Sequence, residues 1–272
     1  MRRNATRRAA TYDVTEEIGL LKELMSRGNE IGVHGIDAWH DAEKGREERR
    51  RLAETTGKSD FGVRVHWLCF DSASPRVLEE AGFQYDSTWG YNETVGYRAG
   101  TSQVFRPEGA KTLLELPLHI QDTALFYSGY LDLGENSAWK VCETLLKNAS
   151  TYGGVLAILW HTRSLAPERL WGDFYARLLH ALRARRVWFA TTGQAVKWFR
   201  NRRALSFRAH FSGPRLRLVM ECAGRPLGLD NEPNLMVRVH MPRSGTDAVC
   251  RTGRSFTDIP WNGETVMEVS VG

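Results

Sequence analysis

Glu30-Ile-Gly-Val-His34 is a short apolar run that closes on a histidine, and Gly35-Ile-Asp-Ala-Trp-His-Asp41 follows it directly. Runs of this kind form parallel strands buried on both faces, which deliver a functional side chain at their carboxyl end. Upstream, Thr15 is placed to cap a helix that carries Ile18, Leu21, Leu24 and Met25 on one apolar face, and Gly28 stands where that helix ends. Downstream, a charged helical stretch over 42–55 leads to a second strand and its exit loop over 61–70. Ser74 and Pro75 then open a helix whose stripe is Val77, Leu78 and Ala81, and Gly82 stops it. The next strand, 83–85, delivers Asp86.

The alternation continues. A strand over 113–118, a helix over 137–149 and the apolar run Gly154-Val-Leu-Ala-Ile-Leu-Trp160 ending in His161 precede a helix over 167–185, a strand over 187–190 and a helix over 192–200. Strands alternating with helices predict an α/β domain with parallel strands, as a barrel or an open sheet. Near Arg203 the texture changes to period two: 205–211, 216–221, 235–240 and 265–271 alternate apolar and polar residues between Gly, Pro, Asn and Asp. The expected organisation is an α/β domain over 1–203 and a small β-sandwich-like domain over 204–272. No cluster of convergent catalytic groups stands in the second part.

Composition excludes several classes. The four cysteines, Cys69, Cys142, Cys222 and Cys250, form no CxxC pair and read as core thiols, which leaves out a zinc knuckle or a disulfide framework. No apolar run is long enough to cross a bilayer, and the basic start lacks the apolar segment of a secretory signal, so a cytoplasmic chain is expected. The net charge of +5 suits an anionic partner such as a phosphorylated lipid-linked sugar. Its arginine runs, around 2–8 and 183–203, read as solvated tails and helix faces, and no DNA- or RNA-binding motif accompanies them.

The chemistry concentrates at strand exits. His34, Asp37, His40 and Asp41 place two imidazoles and two carboxylates after the first strand, a set able to bind a divalent cation, although a lone histidine pair is more often a local hydrogen-bonding feature. His161 ends another apolar run and belongs on the same rim as His34 if the sheet is parallel; alone it would read as a core histidine. Arg64 and His66 close a third run, and Asp86-Ser-Thr-Trp-Gly-Tyr-Asn92 follows a fourth. Four exits rich in titratable and aromatic groups point to one site.

In this order the segments resemble the NodB-type polysaccharide deacetylases. EIGVHGIDAWHD is similar to their second motif, a metal-binding histidine pair, and RVHWL to their third, whose arginine orients a catalytic carboxylate. YDSTWGYN resembles the fourth, a groove wall, and ILWHT the fifth, whose histidine is a general acid. The likeness spans roughly 12–200, and SPxxLEEAGFxYDSTxGYN followed by GYRAGT is its most specific part. HGIDAW is similar to the formyl-sugar and related cytoplasmic deacylase branch.

The resemblance implies a NodB-like distorted (β/α) barrel, N-terminally truncated, with a small C-terminal all-β domain. It implies hydrolysis of N-acyl, chiefly acetyl, groups from amino sugars of a polysaccharide or lipid-linked glycan precursor. It further implies a divalent metal, zinc, on His34 and His40, with Asp37 as the alternative to His40. His161 would be the general acid, Arg64 would hold a carboxylate, and Trp89, Tyr91 and Arg98 would line the sugar groove. Two departures stand out: the family's second motif is His-Ser/Thr-x-x-His, whereas position 38 here is Ala and the next histidine is His40, and the family's first motif, a pair of aspartates on a strand, is not found. The acids before His34 are Asp13, Glu16, Glu17, Glu23 and Glu30, of which Asp13 reads as a turn or cap. The rival reading is a catalytically inactive glycan-binding protein or a truncated deacetylase fragment.

Overall fold

The computed structural model describes residues 13–212, 215–222, 233, 235–240, 256–261 and 266–270. The chain divides into two compact units, 1–196 and 197–272. In the first unit the carboxylate of Asp13 accepts from the amide and hydroxyl of Thr15 and so caps the turn that leads into α1 (Ile18–Ser26). Thr15, expected as the cap, is instead the donor: an aspartate two residues upstream reaches the free N–H first. β1 (Val33–Gly35) follows, then α2 (Ala42–Thr56), capped by Asp41 on the amides of Glu43 and Lys44 and closed by Gly57 in the left-handed region. The outer face of α2 carries the ion pairs Arg46–Glu43, Arg50–Glu54 and Arg51–Glu47, while Gly45, Leu52 and Thr55 are buried.

β2 (Gly62–Val65), α3 (Ser74–Glu80), β3 (Tyr85–Asp86), β4 (Leu114–Glu115) and β5 (Leu118–Gln121) come next. After them run α4 (Asp122–Phe126), α5 (Glu135–Tyr152), β6 (Ala157–Leu159), α6 (Gly172–Ala184) and α7 (Thr192–Arg203). β1 to β4 form one parallel sheet in sequence order, with Val33 beside Val63, Val63 beside Asp86 and Asp86 beside Glu115. β5 and β6 form a second parallel sheet with Leu118 beside Ala157. The strand expected over 113–118 is therefore two strands. Pro117, which has no N–H to give, separates them, and the chain leaves one ladder for the other at that residue.

Among the described residues no ladder joins the two sheets, and a closed barrel is not what these strands build. The strand expected over 187–190 joins no ladder either. Its Phe189 is 52% exposed, because an apolar extended run becomes a strand only where a neighbour takes its backbone groups. The core lies in two clusters: Phe61, Val63, Val65, Leu78 and Phe83 behind the four-stranded sheet, and Ile120, Leu125, Cys142, Leu146, Phe174 and Leu178 behind the second. Burial pushes the Cys142 thiol up to about 12, which makes it an inert core group as its isolation in the sequence suggested. Among the described residues no helix is long and apolar enough to cross a membrane.

In the second unit, β7 (Leu205–Ser212), β8 (Arg215–Cys222), β9 (Met236–His240), β10 (Phe256–Pro260) and β11 (Val266–Ser270) are all antiparallel. β8 lies between β11 and β7, and β9 pairs with β10. Leu216 and Leu218 of the first ladder pack with Val239 of the second. The Arg238 guanidinium grips Asp258 through two 2.7 Å hydrogen bonds and lies 3.8 Å from the centre of the Phe256 ring. The four expected alternating stretches each hold a strand. β10 was not expected, since a proline closes its five residues. Cys250 lies outside the described residues.

Gly62 is where packing of the site-bearing sheet is least tolerant. A β carbon there would fall inside the ring of Tyr85, whose hydroxyl donates to Glu30, and the other oxygen of Glu30 accepts the Gly193 amide at 2.7 Å. Gly62→Ala is expected to destabilise the protein by about 1–3 kcal/mol in urea unfolding, as overpacking does. Gly19→Ala, inside α1 with open space around it, should be neutral or stabilising by up to ~1 kcal/mol. Equal effects would show that the contact with Tyr85 does not govern this sheet.

Candidate active site

Polar side chains stand at or next to the carboxyl ends of the strands of the first unit. Arg64 of β2 stands beside His34 of β1, and its buried guanidinium donates to the carbonyl and hydroxyl of Ser87 at 2.8 and 2.7 Å. Its charge faces Asp86 of β3 and Glu115 of β4, both buried. Asp86 accepts from the Thr88 hydroxyl, whose oxygen in turn accepts the Val65 amide at 3.0 Å. One oxygen of Glu115 accepts the Trp89 amide at 2.9 Å, while the other is buried without a donor. Burial raises both acids, and Glu115 is pushed up further because the Asp86 charge faces it. The role expected of Arg64, orienting a carboxylate, is directed here to Ser87 and to the field around Asp86.

His34 Nε2 lies 2.9 Å from Nδ1 of His66, with the rings edge to face. Desolvation first, and the neighbouring His66 second, push the His34 imidazole down to about 4, so the ring is neutral at pH 7. The charge of a protonated His161 also reaches His34 and acts in the same direction, although the two belong to different sheets. His34 and His40 are both exposed; His40 packs on Trp39 and sits 4.0 Å from Asp37, which also binds Lys44 at 3.2 Å.

His161 follows β6 and meets Asp122, the first residue of α4. Asp122 accepts the ring Nδ1–H and the main-chain N–H of His161, both at 2.7 Å, and also the Thr123 amide. Burial works to raise this carboxyl, but the hydrogen bonds from His161 and Ser164 outweigh it and hold it below its ordinary value. The charged carboxylate fixes the proton of His161 on Nδ1, leaving Nε2 on a ring that is 46% exposed. Asp122 is a residue of this candidate site that sequence reasoning missed. An acid opening a helix reads as a cap, and its partner lies 39 residues further on.

The expected groove residues are built into a wall. Trp89 stacks on Phe70 at 4.9 Å and meets Phe105 edge to face; Arg98 lies over Phe70 at 4.4 Å and near Tyr91 at 5.8 Å, and donates to the Gly90 carbonyl. A catalytic zinc takes three protein ligands. His34 and His66 supply an imidazole pair, but among the described residues no group of three His, Cys, Asp or Glu side chains is placed to hold a metal ion. The residues present do not fit the zinc that the resemblance implies, and no step is assigned to it.

No protein-family model matches the chain, and no curated protein matches it. In fold it is similar to the crystal structure of a protein from Mycobacterium smegmatis assigned as a polysaccharide deacetylase, with a TM-score of 0.53 and 19% identity over 69% of this chain and 68% of that one. At that identity the likeness is one of fold.

The upward shift of Glu115 has a measurable consequence. A carboxyl whose folded-state pKa is raised contributes its full stability below its unfolded value, near 4.5 for Glu115, and that contribution is lost as pH rises through the folded value. Glu115→Gln keeps a neutral side chain at every pH. Its melting temperature relative to the unsubstituted protein is expected to rise as pH increases from about 5 toward the raised folded-state value. A difference that stays flat across this range would show Glu115 to be ionised throughout.

Proposed function

We propose that this chain is a carbohydrate deacylase that removes N-acyl, chiefly acetyl, groups from amino sugars of a polysaccharide or a lipid-linked glycan precursor. The observation that carries the reading is the Asp122–His161 pair at the mouth of the α/β unit. Amide cleavage stalls unless the departing amine receives a proton, and a histidine with Nδ1 held by a buried carboxylate presents Nε2 for that transfer. On this reading the His34–His66 pair and the aromatic wall of Trp89, Tyr91 and Arg98 would contact the acylated sugar. The fold likeness to a protein assigned as a polysaccharide deacetylase supports the same substrate class. A second reading, a glycan-binding protein without turnover, is favoured by the shortage of metal ligands among the described residues.

Acetate release from N-acetylated chito-oligosaccharides, measured with added Zn²⁺ and with chelator, tests the proposal. Turnover is expected, and His161→Ala is expected to lower kcat by about 10²–10⁴-fold with KM little changed, because the proton is given only as the bond breaks. Asp122→Asn should lower kcat in the same direction. A His161→Ala protein that melts early yet turns over normally per folded molecule would remove His161 from the chemistry. Sugar binding without acetate release under either metal condition would establish the second reading.

A further inference from the structure

Trp67 departs twice from what the fold asks of its position. Its backbone is left-handed, with φ 56° and ψ 20°, and Leu68 follows with φ 50°. A β carbon crowds the backbone there, so glycine would serve both positions without strain. Leu68 is buried, which offsets its strain, but the Trp67 indole is 57% exposed even though tryptophan is among the residues that gain most from burial. Strain at a surface aromatic that packs little is a pointer to function rather than to folding.

The ring is nonetheless held in place. The His66 imidazole stacks against the indole with centroids 4.9 Å apart and planes 28° from parallel, and His66 is itself bonded to His34. The Asn92 amide donates to the Trp67 carbonyl at 2.6 Å, and the Gln121 amide donates to the carbonyls of Tyr91 and Asn92. Gln121 immediately precedes Asp122. A continuous set of bonds thus fixes the Trp67 loop relative to both the His34–His66 and the His161–Asp122 pairs.

We propose that the solvent-facing side of the Trp67 indole is the platform on which a pyranose ring of the substrate stacks, an inference that rests on the carbohydrate deacylase reading. A rigid flat apolar face matches the C–H face of a sugar, and the polar groups around it, His34, His66 and Asn92, suit a ring edged with hydroxyls. A lipid or protein partner would call for a contiguous apolar patch, which such a rim does not offer. Trp89, the groove residue expected from the sequence, packs against two rings, Phe70 stacked on it and Phe105 edge-on, and is less exposed than Trp67.

Calorimetric titration of the full chain with chitotetraose tests this. Trp67→Ala and Trp67→Leu, the latter keeping apolar bulk without a flat face, are expected to weaken binding about tenfold or more, while Trp67→Phe stays within about threefold. In turnover the first two should raise KM by a similar factor and leave kcat unchanged, and melting temperatures confirm that each variant is folded. Undiminished binding by both the Ala and Leu variants, or no binding by the unsubstituted protein, overturns the inference. If acetate is released but Trp67 proves irrelevant, the platform falls and the deacylase reading stands. If Trp67-dependent binding occurs without acetate release, the platform stands and the deacylase reading falls.

Discussion

One buried guanidinium organises the centre of the first unit. Removing a charge from water is expensive unless it is paired and hydrogen-bonded, so Arg64 dictates what its neighbours must be. Ser87 accepts two of its N–H bonds, and Asp86 and Glu115 face its charge. Those acids then bind Thr88 and the Trp89 amide, and Thr88 accepts from Val65. The loops after β2 and β3 are fixed by this one requirement, and Trp67, Trp89 and Asn92 all sit on them.

The second constraint is the division of the parallel strands at Pro117. It places His34, Arg64, Asp86 and Glu115 on one sheet and the His161–Asp122 pair on another. Gln121 spans the division by donating to the loop after β3, and this link, not a shared ladder, sets the two sets of groups in register. A shift in that loop would move the aromatic wall and the acid partner together.

How much of this was legible follows from how local each cause is. Apolar runs closing on His34, Arg64, Asp86 and His161 mark strands and their exits, and Gly28 and Gly82 mark helix ends, because these are properties of neighbouring residues. Partner choice is not local. Asp122 and Glu115 each look like an isolated acid at the edge of an apolar stretch, and only folding brings them to His161 and Asp86. His40 was expected beside His34 from its spacing, yet the turn that begins at Asp37 pairs it there instead. The run over 187–190 has every local mark of a strand and lacks only a neighbour. The handedness of Trp67 could not be read either, since nothing in Arg-Val-His-Trp-Leu requires a positive φ.

Asp122 and Glu115 are equally buried, and the fold shifts them in opposite directions. Asp122 collects donors: two N–H groups of His161, the Thr123 amide and the Ser164 hydroxyl. Glu115 receives one amide and faces another carboxyl. Burial alone would neutralise both, so the number of N–H and O–H groups aimed at each oxygen decides which acid keeps its charge. A charged Asp122 can hold the proton of a histidine in a fixed tautomer, whereas a Glu115 shifted toward its neutral form can only brace a structure. Of the two buried acids, the donors alone mark Asp122 as the one suited to chemistry.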